Sequence, residues 1–386
     1  MIQVTVRIVQ RSTRNSNSQM LVNEKNSMES NARLCTKTLA VVYFKKGLIY
    51  LKKFTFKSAI SNLFMLACIM VFVGIFSSLF GSNNSLTWVC ILIGIMLYWK
   101  MNIGIDKKEA PIIIVSLFVF TGIANRIAII NPFLGFFVNL IAIFIIMYVP
   151  SLKPEYKAYM PFILCYIFDQ SNVAIGKDFY TRMLSLLIGG LIVSAVYYYK
   201  HRNSEEKHIK FRELFTDFDI SSPRFILSCK MAVGVSIAML IGSLVGLQKT
   251  MWIAMSVMSL TQIDFDHTQK RFIYRIIATV VGSVMFVLLF QYLIPDKYVA
   301  FTTIILNYIY TFIEDYRYQM VFITVNSLSS SMVLFDPNTA IEIRIALVIL
   351  GCVLGYCINR LNFRRLFVLI KRKLSLHKNK KSSETI

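Results

Sequence analysis

Twelve apolar runs alternate with short polar segments along the chain, near 58–80, 83–99, 110–125, 127–150, 158–176, 183–199, 225–247, 250–263, 276–295, 298–313, 318–335 and 343–359. Each run is apolar on every side. A helix lying on a soluble core would instead carry a polar stripe every three or four residues, so the pattern fits helices surrounded by lipid. A span needs about 20 apolar residues, and the second, eighth, tenth and twelfth runs are short for that. Backbone groups in lipid must be satisfied within helices or a closed barrel, and barrel strands would alternate polar with apolar residues. The pattern therefore predicts an all-α, polytopic integral membrane protein of about twelve transmembrane helices.

The expected layout is a basic cytoplasmic segment over 1–57, a first six-helix membrane repeat over 58–199, a linker over 200–224 acting as a hinge, a second six-helix repeat over 225–360, and a basic tail over 361–386. At its centre, between Lys230 and Phe290, two apolar runs flank a polar knot from Thr261 to Arg271, read as a loop between spans. Arg271 and Arg275 are four apart and share a face if the next helix begins there. They form either an anion-attracting surface at the helix entrance or ordinary basic anchors of a cytoplasmic loop.

Two motifs recur. Gly81 and Trp88 after the first run match Gly246 and Trp252 after the seventh, and Arg182-x6-Gly189 matches Arg344-x6-Gly351. Six spans per half return the chain to the same side, so the halves are expected to be parallel repeats about an axis along the membrane normal.

Composition sharpens the class. The chain is 56% hydrophobic with a mean hydropathy of +0.60, above the roughly 45–50% of soluble domains. Its net charge of +22 would suggest nucleic acid in a soluble protein, but 35 of its 42 Lys and Arg fall in alternate segments that share one side of the membrane. That bias places both termini in the cytoplasm and gives nucleic acid no part. The segment 38–53 mixes Leu and Val with lysines, as an interfacial helix or a plain juxtamembrane tail would, and Met20 or Met28 could serve as the start in place of Met1. Six of the seven cysteines lie in apolar runs and read as reduced, and the four histidines lack metal-ligand spacing, so no metal and no cofactor are expected. With no phosphate loop, dinucleotide fingerprint or nucleophile elbow, the chain is not read as an enzyme.

Polar residues inside spans are the informative ones, because a charge at the bilayer centre costs at least about 2.5–3.5 kcal/mol. Asp169 and Asn172 break the fifth run, and Asn326 and Ser330 lie in the polar break of the eleventh, the corresponding place in the second half. Paired breaks of this kind point to a transport pathway, although the fifth span could simply end near Asp169. Lys230, two turns from Pro223, either snorkels to the interface or meets an anion. Asn139 and Asn307 are lesser candidates.

The stretch from Arg224 to Phe290, with its small-residue span, the Gly246…Trp252 turn, the Gln262-containing loop and Arg275-x6-Gly282, resembles the fusaric-acid-resistance (FUSC-like) membrane family, related to aromatic acid exporters. The resemblance implies a multi-pass protein of the bacterial plasma membrane that exports small aromatic or amphipathic organic anions on an ion gradient. Its partners would be the anion and the bilayer, with a homo-oligomer left open. The rival readings are a passive anion channel and a non-transporting envelope scaffold.

Overall fold

The computed structural model describes residues 56–203, 209–216, 219–246, 250–263, 265–331, 337–361 and 363, with side chains at most of them. The regular structure there is helical apart from one isolated parallel bridge between Ile105 and Ile209. The longer helices are α1 (Phe56–Phe80), α2 (Ser85–Lys100), α3 (Glu109–Ala128), α4 (Pro132–Tyr148), α5 (Met160–Ser171) and α6 (Lys177–His201), then α7 (Pro223–Val245), α8 (Met251–Leu260), α9 (Phe265–Phe286), α10 (Val299–Tyr310), α11 (Tyr316–Ser331) and α12 (Pro337–Arg360). Six stretches are long and apolar enough to cross a membrane: Phe56–Phe80, Glu109–Ala128, Lys177–His201, Pro223–Val245, Phe265–Leu293 and Ile341–Arg360. Pro132–Tyr148, Met251–Leu260 and Val299–Tyr310 are shorter apolar helices.

Local chemistry sets several ends. Proline at the first helical position begins α4 and α7, where its missing N–H is no loss, and Asn131 and Ser222 accept hydrogen bonds from Phe133 N and Phe225 N as N-caps. Helix α7 stops at Gly246, whose φ of 63° lies in the left-handed region that glycine enters without a Cβ clash.

The chain packs as two compact units whose boundaries fall inside α9 and α12 and near the start of α1. One comprises Ile60–Ile276 with Ile343–Ile386, the other Met1–Ala59 with Ile277–Glu342. In the first, α4 packs on α7, α3 and α2 on α6, and α8 on α7 and α5. Trp88 is fully buried there, stacked on Phe76 of α1 with centroids 4.0 Å apart. Helix α1 otherwise presents Phe64, Val71 and Leu79 outward, as apolar side chains do when lipid is their solvent. In the second unit α10 packs on α11 around Phe286, Val325 and Leu328.

Three expectations are revised. Helix α9 starts at Phe265, so most of the knot is helical and Thr261–Ile263 is not; Arg271 and Arg275 sit on the helix. The fifth run yields only the twelve residues of α5, since Asn172 leaves helical geometry. The linker is no free hinge where it is described. Ile209 pairs with the α2–α3 loop through Gly104 O and Asp106 N, Phe211 N donates to Glu109 Oε2 at 2.6 Å, and Tyr148 Oη donates to Leu214 O. The segment 38–53 and nearly all of the basic tail lie outside the described residues.

Candidate functional site

The sequence-predicted residues fall in four places. Asp169 occupies the last turn of α5, 3% exposed, and accepts from Thr87 Oγ1 at 2.7 Å and Cys165 Sγ at 3.5 Å. Arg182 of α6 lies 3.9 Å from its Oδ1. The same guanidinium donates to the Asp169 and Asn172 carbonyls, to Asn83 O and to Asn84 Oδ1. One arginine therefore caps the end of α5, satisfying carbonyls that have no partner within the helix. Asn172 joins in, its amide donating to Asn83 O at 2.7 Å.

Lys230 of α7 is 6% exposed and opens on a cavity of about 480 Å³. Its Nζ lies 3.5 Å from Gln262 O. Arg360, Phe265, Phe363 and Asn359 also line the cavity, so two cationic heads face it beside two phenyl rings. Asn359 donates to Gly355 O and Thr261 Oγ1, while its buried Oδ1 accepts from nothing.

Helix α8 carries the third group. Arg271 Nη1 donates to Ser259 O at 3.2 Å, Arg275 Nε donates to Ser256 Oγ at 3.3 Å, and the Arg344 guanidinium lies 4.7 Å over the Trp252 ring. Ser259, Ser256 and Trp252 are three and four residues apart, so the arginines stand one turn apart along α8. Gly351 makes this possible. A Cβ there would come within 2.6 Å of Ile253 O, so α12 and α8 touch through backbone and hold Arg344, two turns back, over the indole. At the Arg271 end, burial and then this guanidinium hold the Lys157 amine below its ordinary pKa.

Asn326 belongs to the other unit. Its amide donates to Asn307 Oδ1 at 2.7 Å, and Thr303 Oγ1 reaches Ser329 Oγ at 3.4 Å, a neutral polar seam between α10 and α11. Ser330 lies in the last turn of α11. Asn139 is buried in α4 and accepts from Tyr166 Oη at 2.6 Å.

The sequence marked Arg182 and Arg344 only as parts of a repeated motif and not as site candidates; each is 4% exposed. The signal was present in the repeated Arg-x6-Gly motif, because an arginine one turn-multiple from a close-packed glycine is drawn into the helix interface. Among the described residues no group of His, Cys, Asp and Glu could hold a metal ion.

Several long apolar helices with charged and amide side chains buried between them define a multi-pass membrane protein. Residues 237–358, from the middle of α7 through nearly all of α12, match the family model described as fusaric acid resistance protein-like, so this stretch is similar to that family. The matched stretch holds Arg271, Arg275 and Arg344 and leaves out Asp169 and Lys230. No curated protein and no solved structure matches the chain.

Proposed function

We propose that the protein exports small aromatic or amphipathic organic anions from the cytoplasm across the bacterial plasma membrane, driven by a proton gradient, through two parallel six-helix halves. The observation that carries this reading is the cavity at the N-terminal end of α7. Lys230 and Arg360 offer charge to a carboxylate, and Phe265 and Phe363 offer apolar faces to a ring, the mixture of few polar groups and apolar lining that small-molecule sites use. The basic bias of the sequence puts this end in the cytoplasm, where an exporter loads. Asp169 is the coupling group in this proposal: taking up a proton would break its ion pair with Arg182 and loosen the end of α5.

The test is uptake of labelled benzoate into inverted membrane vesicles under an imposed pH gradient, with an uncoupler as control. Lys230→Gln should raise the half-saturating concentration several-fold, and Asp169→Asn should abolish the response to the gradient. Accumulation by Asp169→Asn equal to that of the unmodified protein would move coupling elsewhere. Currents without coupling would favour a passive channel, and an envelope phenotype without flux a scaffold. Reporter fusions at Glu206, Asp315 and Lys380 should all report cytoplasm.

A further inference from the structure

Arg344 is buried among apolar side chains, yet its Nε has no hydrogen-bond partner. Among the described residues no carboxylate lies within ion-pair distance of it, and its guanidinium lies 4.7 Å over the electron-rich face of Trp252. An indole face attracts a guanidinium by less than burying an unpaired ion costs. Arg275 makes the deficit larger, being near enough to Arg344 for the two charges to repel.

The repeat explains how the deficit arose. In the register that aligns Arg182 with Arg344, Asp169 corresponds to Ser331; in the register that aligns Gly81 with Gly246, Asn83 and Asn84 correspond to Gln248 and Lys249. The first half supplies its arginine with a carboxylate and an amide oxygen. At the matching sequence positions the second half carries a serine and a lysine.

We propose that Arg344, with Arg275 one turn along α8, forms an internal binding site for a small carboxylate anion, which takes the place that an aspartate side chain fills in the first half. The site lies away from the Lys230 cavity: Arg344 is above Trp252 at the start of α8, whereas the cavity lies beyond its end at Ile263 and Phe265. Arg271, at Ser259, is the rung between the two. The anion supplies the charge and lone pair that the Arg344 guanidinium lacks, and a bound carboxylate in a low-dielectric interior is held more strongly than on a surface. The binding claim stands on the buried arginines alone; that the anion is cargo in transit rests on the export reading.

Indole emission reports the site directly. The full chain in neutral-lipid nanodiscs is titrated with 4-nitrobenzoate, a carboxylate that quenches indole, and the part of the quenching lost in Trp252→Phe is assigned to Trp252. We expect saturable quenching of Trp252, a dissociation constant at least tenfold higher in Arg344→Gln, and a value within about threefold of the unmodified protein in Arg344→Lys. Superposable curves for Arg344→Gln and the unmodified protein would overturn the proposal, as would the absence of saturable quenching in the unmodified protein. Arg344→Lys keeps the test decisive if the glutamine variant does not fold. Vesicles that fail to accumulate benzoate while the Arg344-dependent curve persists would sink the export reading and leave the anion site standing.

Discussion

Arg182 and Arg344 start from the same local motif and end in opposite electrostatic conditions. Both stand seven residues before a glycine that lets the helix close on a neighbour, Gly189 against the Ile91 side chain of α2 and Gly351 against the Ile253 backbone of α8. Both are 4% exposed. Arg182 is surrounded by acceptors, four oxygens within hydrogen-bond distance and a carboxylate at 3.9 Å. Arg344 has an indole face and an orphaned Nε. Their tryptophans differ to match, since Trp88 stacks on Phe76 while Trp252 is covered by the cation. One buried arginine can be a structural clamp and its counterpart an open receptor. Burial alone does not say which; the count of oxygens around the guanidinium does.

The largest effect is expected at the clamp. Arg182→Gln removes the cap of α5 and strands the Asp169 carboxylate, and removing one partner of a buried pair costs about 3–5 kcal/mol. Thermal unfolding in nanodiscs should show a deep loss, partly restored by Asp169→Asn in the double variant. Equal stability of the single variant and the unmodified protein would dissolve the contrast between the two arginines.

The glycines come next. Gly351→Ala would force a methyl against the fixed Ile253 carbonyl, whereas at Gly189 the first atoms met are the far end of the Ile91 side chain, which can turn away. Overpacking costs about 1–3 kcal/mol, so Gly351→Ala should fall in that range and Gly189→Ala below it. The opposite order would mean that α12 and α8 are less tightly apposed than α6 and α2.

Arg344→Gln should change stability in the other direction. Without an anion the substitution removes an uncompensated buried charge, and a gain on the order of 1 kcal/mol is expected, read as a higher unfolding temperature in anion-poor buffer. A loss comparable to that of Arg182→Gln would make Arg344 a clamp as well.

The smallest effect belongs to the half-buried pair of Asp315 and Arg317. Asp315 caps α11 by accepting from Arg317 N and is held by the Arg317 guanidinium, whose hydrogen bonds keep its carboxyl below the usual carboxylate pKa. A depressed folded pKa contributes stability above the unfolded value, near 3.9, and that contribution fades as pH falls through the lower folded value. Asp315→Asn should therefore lose about 0.2–1 kcal/mol at neutral pH and progressively less as pH falls below the usual carboxylate range, as equilibrium unfolding across that range would reveal.

Hydrophobic runs alone were enough to mark a helical membrane protein, because a lipid-facing helix has no polar stripe to hide its length, and six described stretches are long and apolar enough to cross a membrane. Arg271, Arg275, Asp169 and Lys230 were also legible, since ionisable residues in or beside apolar runs are rare and stand out. What the linear pattern could not carry was the pairing. Whether Asp169 is free or clamped depends on Arg182, Thr87 and Asn84, brought to it by packing of α2 and α6 around α5; whether Arg344 is an anchor or a receptor depends on which atoms α8 and α9 place around it. Hydropathy records the solvent a residue prefers, a property of one side chain at a time. Charge compensation is a property of three-dimensional neighbours separated by up to about a hundred residues of chain, so only the tertiary structure decided it.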